Sequence, residues 1–397
     1  MTAEALPPPR TITGRRDWLQ RNLFSSLVNS VITGLVAGLL LVVAITLAEW
    51  ALTEARWDVV TRNMRLFLIG QYPGDQAWRI WLSLLLVSAL TGVSAAYFGR
   101  TTRALAISLS AFNLMLGAFV AVSPLGIIPA LGLLLNAALV WAGLVAGRLV
   151  QVPRRALVLM WVISLPVTWL LLNGISGSPL PLVSSHLWGG LLLTILLAAV
   201  GIVVSFPLGV LLALGRRSSM PAVRLVSTAY IELIRAVPLV TILFMADIML
   251  PFFLPGEVRI ERVTRAMGGF ALFTAAYVAE NVRGGLQAIP TGQVEAANAL
   301  GLNTLQTNRF IVLPQALRSV IPANVGLFIS LLKDTTLVSI IGLAELLGIG
   351  QAILAQPNSL GAHLEVFAFA AVIYFVLCYA MSQASYRLER ALGVGTR

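Results

Sequence analysis

The chain has 397 residues, 58% of them hydrophobic and only 11% charged, with a net charge of +11. Its mean hydropathy is +0.90. Soluble domains carry about 25% charged residues, so a soluble enzyme and a disordered chain are both excluded. The composition is that of a polytopic, all-α membrane protein. A positive balance in such a chain belongs to loop arginines beside a bilayer rather than to nucleic-acid binding. Cys378 is the single cysteine and forms no internal disulfide, and two histidines cannot build a multi-histidine metal site. Lys333 is the sole lysine, so no Gly-Lys-Ser/Thr phosphate loop exists, and any ATP hydrolysis tied to this chain must come from another subunit.

A spanning helix needs about 20 apolar residues. Ten runs meet that need, near 28–49, 80–99, 104–122, 125–147, 156–172, 188–214, 226–250, 264–286, 322–342 and 364–385. Residues 1–27 are mostly polar, with Pro7-Pro8-Pro9 and Arg10, Arg15, Arg16 and Arg21, and read as a cytoplasmic tail rather than a cleavable leader. Counting spans onward, Arg100, Arg103, Arg148, Arg154, Arg155, Arg216, Arg217 and Arg224 fall on the side of the N-terminus, as do Arg387, Arg390 and Arg397. The loops near 123–124, 173–187 and 343–363 lack arginine, whereas the long loop near 50–79 breaks the pattern with Arg56, Arg62, Arg65 and Arg79. The positive-inside rule then places both termini in the cytoplasm. Texture divides the chain into the tail 1–27, an accessory membrane region 28–187 ending in a Gly/Ser/Pro-rich loop, and a working unit 188–397 whose spans carry charges.

The stretch 290–320 reads as two short helices joined by a turn. Pro290 and Thr291 can start the first and Gly301 suits the left-handed residue that ends it. Asn303 or Thr304 can cap the second, which Pro314 perturbs or stops. The small residues Ala296, Ala297 and Ala299, followed by Leu300 and Leu302, let another surface approach closely, and Glu295 adds a charge at its edge.

Charges inside spans are costly and mark function by default. Lys333 and Asp334 fall about 16–18 Å into their span at 1.5 Å per residue, near the midplane. Followed by Thr335 and Thr336, they contact a gate or substrate, or else form a buried structural pair. Glu280 and Arg283 stand three apart on one helical face and can pair structurally, a spacing that Glu232 and Arg235 repeat. Pro238 follows the second pair, and a span beginning there would leave both at the cytoplasmic surface. Asp247, near an outer span end, meets either a substrate amino group or outer water, and in the first case would select against acidic substrates. His186, His363 and Glu365 face outward, for docking or for solvent. The tryptophans, such as Trp78 and Trp188, suit interfacial anchors.

Three functional classes compete. A stand-alone secondary transporter would show internal repeats with broken helices, and none is evident between the two halves. A redox enzyme lacks the ligands for haem or clusters. The third class rests on resemblance. Glu295-Ala296-Ala297, Gly301, Ile311 and Leu313-Pro314 match at every fixed position the EAA loop of ABC-importer permeases. The segments Tyr230–Leu239, Ala276–Pro290 and Leu332–Ser339 are similar to those of polar amino-acid permeases, so that the likeness covers about 188–390. The long N-terminal half, Arg15-Arg16 and Asn22–Ser26 resemble the M-type subunit of general L-amino-acid permeases. The resemblance implies a non-catalytic, type I importer permease of the bacterial inner membrane, with a methionine-permease-like core of five spans. It implies a sister permease, forming a heterodimer in preference to a homodimer. Two copies of a cytoplasmic ATPase would bind ATP and Mg, this chain binding no cofactor, and a periplasmic amino-acid-binding protein would dock above. The EAA loop would be the coupling helix, with Glu295 meeting a basic residue of the ATPase, and ATP would drive alternating access for a broad set of L-amino acids.

Overall fold

The computed structural model describes residues 14–97, 100–150, 152–256 and 258–393. The proline run 7–9, Arg10 and Arg397 lie outside these. Among the described residues the structure is helical, with two isolated backbone bridges, Gly70–Trp188 and Gly190–Glu345. Among the described residues eight helices are long and apolar enough to cross a membrane, or nine if the bent pair Pro221–Ala236 and Leu239–Phe253 is one span, against the ten expected.

The chain divides into two units at Arg56/Trp57. In the first, helix α1 (Leu27–Glu49) starts at Ser26, whose hydroxyl accepts the Asn29 amide at 3.1 Å. That bond satisfies one of the orphan donors of the first turn. No residue of α1 is buried.

The second unit begins with two short helices, Trp57–Arg62 and Met64–Ile69. Then come α2 (Trp78–Tyr97), α3 (Arg100–Ala121), α4 (Ile127–Val150) and α5 (Arg154–Asn173). Between helices already in lipid there is no hydrophobic drive, so close backbone approach and interhelical hydrogen bonds hold them. A Cβ on Gly92 of α2 would lie 2.1 Å from the Val140 carbonyl oxygen of α4, and one on Gly143 would lie 2.7 Å from the Ala89 carbonyl oxygen. Asn136 donates to Asn113 at 3.0 Å between α4 and α3, and the Trp161 indole donates to Ser94 at 2.9 Å between α5 and α2.

After the loop 174–189 come α6 (Gly190–Arg216) and α7 (Pro221–Ala236). Residues 226–250, expected as one span, divide at Val237-Pro238. Pro238 supplies no N–H and holds Val237 extended at φ −109°, ψ 135°. The amphipathic α7 therefore meets the segment Leu239–Phe253 at a 107° bend. That segment is α8 (Leu239–Phe244), a wide π-turn Met245–Met249 and a last turn Leu250–Phe253.

Helix α9 (Arg262–Gln287) has 26 residues, enough to reach about 39 Å. It carries more polar groups than the other long helices and is embedded in protein instead of lipid, with fourteen buried residues among them Phe270, Val278 and Val282. Its two ends define the ends of the bundle used below. The chain continues through α10 (Thr291–Ala299), α11 (Ile321–Asp334), a 3₁₀ stretch Thr335–Ile341, α12 (Leu346–Leu354) and α13 (His363–Leu392). One apolar cluster joins Val60 and Phe67 of the short helices, Leu116 and Val120 of α3, and Phe369 and Ile373 of α13. The N-terminal helices of this unit thus share a core with its last helix.

Gly143→Leu should force α2 and α4 apart. Overpacking of this kind costs about 1–3 kcal/mol. The expected outcome is a lower midpoint of thermal unfolding in detergent, with Ala130→Gly, on the same helix and away from that contact, moving it less.

Candidate functional site

Residues 290–320 fold at one end of α9. Helix α10 ends in a paired main-chain lock: the Leu302 amide donates to Ala297 O at 3.1 Å and the Gly301 amide to Asn298 O at 2.9 Å. This arrangement needs a left-handed residue, and Gly301 supplies it at φ +75°. The next turn, Thr304–Thr307, opens with a reciprocal cap, Asn303 Oδ1 accepting the Gln306 amide at 2.9 Å and Gln306 Oε1 accepting the Asn303 amide at 3.0 Å. Two expectations are corrected here. Pro290, not Thr291, precedes the helix and offers no side-chain cap. Pro314 does not stop the second helix: the chain runs through a π-turn Asn308–Val312 into Leu313–Ser319, with Pro314 in the first turn, where no N–H is required.

Only one face of α10 is used internally. Ala297 is buried at 3% exposure, while Glu295, Ala296 and Ala299 are exposed, and Leu300, Leu305 and Phe310 stand out at 82%, 75% and 61%. Val312 and Ala316 anchor the second segment beneath, among Val282 and Leu286 of α9. Ile311 and Leu313 are partly exposed, as is Leu302. The loop thus combines a main-chain lock, a capped second turn and exposed apolar side chains with one carboxylate beside them.

Behind it sits an ionic cluster. Arg283 donates to Glu280 through Nε at 2.9 Å and also through Nη2. Glu232 and Arg235 do not pair with each other. Arg216 of α6 binds Glu232 at 2.8 Å and reaches Glu280 at 3.5 Å, and Arg235 also reaches Glu280 at 3.5 Å. The bend at Pro238 lays α7 across the ends of α6 and α9, which takes both residues to longer-range partners. Glu280 therefore ties three helices together with three guanidinium groups around one carboxylate.

Lys333 and Asp334 end α11, midway along the 21-residue span Ile321–Ile341. Lys333 is exposed and Asp334 half-buried, and among the described residues neither forms a salt bridge. The hydroxyl of Thr336 turns back to Lys333 O at 2.8 Å. Thr335, expected beside a pathway, is fully buried: its hydroxyl donates to Leu332 O at 2.7 Å and lies 3.4 Å from the Tyr374 hydroxyl.

Tyr374 leads to a residue that sequence reasoning missed. Its hydroxyl donates to Glu345 at 3.0 Å, and Glu345 also accepts the amides of Leu347 at 2.8 Å and Gly348 at 2.7 Å. Glu345 is fully buried, and burial pushes its carboxyl above the ordinary range while these three donors pull it back. Thr194 of α6 accepts the Leu346 amide at 3.1 Å. An acid just before an apolar helix is a cap signal, and that was the available clue.

At the opposite end of α9, Asp247 is mostly covered, its side chain 10% exposed, and it faces two arginines. Arg262 Nε donates to it at 3.0 Å and Arg265 Nη2 lies 3.1 Å away, both on Oδ1. The π-turn at Met245–Met249 aims it there, a local widening of the kind that recurs at functional positions. His186 and His363 are exposed, whereas Glu365 is buried at 5% exposure, which corrects its outward placement.

A family described as "Binding-protein-dependent transport system inner membrane component" matches residues 205–394. The chain is 37% identical over 396 residues to the inner membrane amino-acid ABC transporter permease protein YhdY of Escherichia coli K12, covering 95% of this chain and 93% of that protein. It is 36% identical over 420 residues to the glutamate/glutamine/aspartate/asparagine transport system permease protein BztC of Rhodobacter capsulatus, covering 97% and 95%. The chain belongs to the inner-membrane permeases of amino-acid ABC importers, the membrane transport components of binding-protein-dependent systems. A crystal structure of an amino acid ABC transporter with histidines also matches, at 33% identity and a TM-score of 0.46, over 51% of this chain and 92% of its own.

Removing one member of a partly buried ion pair leaves its partners uncompensated. Glu280→Gln strands Arg283, Arg216 and Arg235, and because Glu280 is 22% exposed the expected loss is about 2 kcal/mol, below the fully buried case. Glu232→Gln, at 55% exposure, should cost under about 1 kcal/mol. Thermal unfolding of the purified protein would rank the two.

Proposed function

We propose that this chain is a translocation subunit of an ATP-driven importer for a broad set of L-amino acids, with residues 290–320 as its contact to a separate ATPase. The observation that carries the reading is the exposed helix α10, locked at its C-terminal end, which hides Ala297 and exposes the other residues of the helix. A short helix locked at its C-terminal end, with a carboxylate on its free face and exposed apolar side chains just beyond it, is suited to sit in a groove of another protein. Glu295 would meet a basic group there, and Leu300, Leu305 and Phe310 would supply the buried contact.

On this reading residues 188–397 line the pathway, and the helices between 57 and 187 pack against them. The termini and α10 lie in the cytoplasm, and the end with Asp247, Arg262 and Trp188 faces the periplasm, where an amino-acid-binding protein docks. A second, related permease completes the pathway, with a heterodimer favoured because the relatives alike over their full length carry the same long N-terminal half. Two ATPase copies bind ATP and Mg. Their closure moves the two coupling helices together and switches access from inside to outside, a rigid-body change between two states biased by nucleotide. Lys333, Asp334 and Thr336 lie where such a pathway would narrow, with Thr335 reassigned to holding α13 in place.

Glu295→Lys reverses the charge at the contact without touching the buried face of α10. Uptake into proteoliposomes should fall at least tenfold, and substrate-stimulated ATP hydrolysis should vanish, while the permease still inserts in the membrane. Unchanged uptake would remove the coupling role. Affinity purification in mild detergent should recover an ATPase and a sister permease; solute movement by the isolated chain without ATP would instead identify a secondary carrier.

A further inference from the structure

Glu345 opens α12, yet its carboxylate reaches further than a helix cap. Its Oε1 accepts the Gly348 amide at 2.7 Å and its Oε2 the Leu347 amide at 2.8 Å, which closes the first turn of α12. The same Oε2 takes the Tyr374 hydroxyl of α13 at 3.0 Å. The side chain is fully buried, and none of these three partners is a cation. A cap is ordinarily a serine, threonine, asparagine or aspartate, and a buried carboxylate is costly. Capping alone explains neither the buried acid nor the third donor.

The main chain on either side of Glu345 is fixed by α6. The Gly190 amide donates to the Ala344 carbonyl at 2.9 Å, and the Leu346 amide donates to the Thr194 hydroxyl at 3.1 Å. A Cβ on Gly189 would lie 2.9 Å from the Ala344 carbonyl oxygen, so the two segments touch through their backbones. Close backbone contact of this kind leaves little freedom. The carboxylate of Glu345 is therefore a fixed point to which α13 is tied.

On its other side the Tyr374 hydroxyl lies 3.4 Å from the hydroxyl of Thr335, which donates to Leu332 O at 2.7 Å. A hydroxyl has one hydrogen. With that of Tyr374 on Glu345 and that of Thr335 on Leu332, the two oxygens meet as a packing contact. Leu332 and Thr335 directly flank Lys333 and Asp334. Here α11 gives way to the tighter winding of Thr335–Ile341. Successive side chains turn by about 100° in an α-helix and about 120° in a 3₁₀ helix. The residue at which the winding changes thus sets the directions of its neighbours. Thr335 is fully buried at that point, with Lys333 exposed and Asp334 half-buried.

We infer that Glu345 and Tyr374 are positioning residues for the Lys333-Asp334 pair: through the buried Thr335 they fix where α11 changes winding, and so how the two charges are presented to the transported solute. This role rests on the reading of Lys333 and Asp334 as pathway charges. A mere brace between α12 and α13 would, when broken, slow all substrates alike. A positioning role changes the ratio between a charged and a neutral substrate.

The test uses the complete transport complex and two readouts. Lys333 is the sole lysine, so a water-soluble amine-reactive reagent, followed by peptide mass spectrometry, reports its accessibility directly. Uptake into proteoliposomes gives the ratio of kcat/KM for L-glutamine and L-glutamate, which differ by one side-chain charge. Tyr374→Phe removes only a hydroxyl and leaves both cap amides of α12 paired. It should change the labelling rate of Lys333 and the uptake ratio by at least roughly threefold each, a modest coupling for groups in one network. Asp334→Asn should also shift the ratio, and the double variant should match Asp334→Asn alone. Glu345→Gln should follow Tyr374→Phe; should it fail to assemble, Tyr374→Phe still decides the matter. Wild-type labelling in Tyr374→Phe, an equal loss for both substrates, or additive effects in the double variant would each overturn the positioning role. A shifted labelling rate with a uptake ratio that Asp334→Asn, Lys333→Gln and Tyr374→Phe all leave unmoved would instead sink the pathway reading alone.

Discussion

The packing of α9 against α6 governs the geometry of both functional ends. A Cβ on Gly209 of α6 would fall 2.5 Å from Val278 and 2.8 Å from the Ala275 carbonyl oxygen of α9, so the two helices touch with no room for a side chain. Such contact permits one rotation and one axial position. Rotation puts Glu280 beside Arg216 at the last turn of α6, and it puts Val278 and Val282 inside. Because α9 is a single straight run of hydrogen bonds, the same setting places Arg262 and Arg265 at the other end, against Asp247.

Departures from regular helix occur next to polar side chains. The π-turn at Met245–Met249 turns Asp247 toward α9, and the one at Asn308–Val312 carries the chain past Pro314 into the second segment behind α10. The 3₁₀ stretch after Asp334 turns the Thr335 hydroxyl inward toward Tyr374 while Lys333 stays exposed. For Asp247 and Thr335 a local change of winding lets a polar group find a partner that a continuous α-helix would carry to another face. Glu345 does the same for the short helix α12, closing its N-terminus with a buried carboxylate that also holds Tyr374 of α13.

A permease must keep a stable membrane core while two of its surfaces change partners. Here the apolar clusters run through the middle of the bundle, whereas the charged groups gather at its ends. The Glu280 cluster backs the proposed coupling helix, and Arg262 and Arg265 close on Asp247 at the other end. Charge at the ends is cheaper than charge at mid-depth, which leaves Lys333, exposed, and Asp334, half-buried, as the charges along the proposed pathway.

Sequence alone determined what depends on neighbours along the chain. Hydropathy located the eight long apolar helices among the described residues, each a continuous apolar run, but it read 226–250 through the bend at Pro238. Spacing marked residues 290–320, because a glycine turn and an asparagine cap act within a few residues of themselves. The Glu280–Arg283 pair was legible for the same reason, being one helical turn apart. Tertiary structure decided the partners that lie far apart in sequence. Glu232 and Arg235 have the same spacing as that pair yet bind elsewhere, because the 107° bend after α7 brings Arg216 and Glu280 within reach. Asp247 looked isolated until α9 folded back and delivered Arg262 and Arg265 to it. Glu345 looked like an ordinary loop acid until α6 and α13 closed around it. Helix and turn formation are local balances of backbone bonds and burial, whereas the pairing of charges depends on which faces come together, and only the packed bundle specifies that.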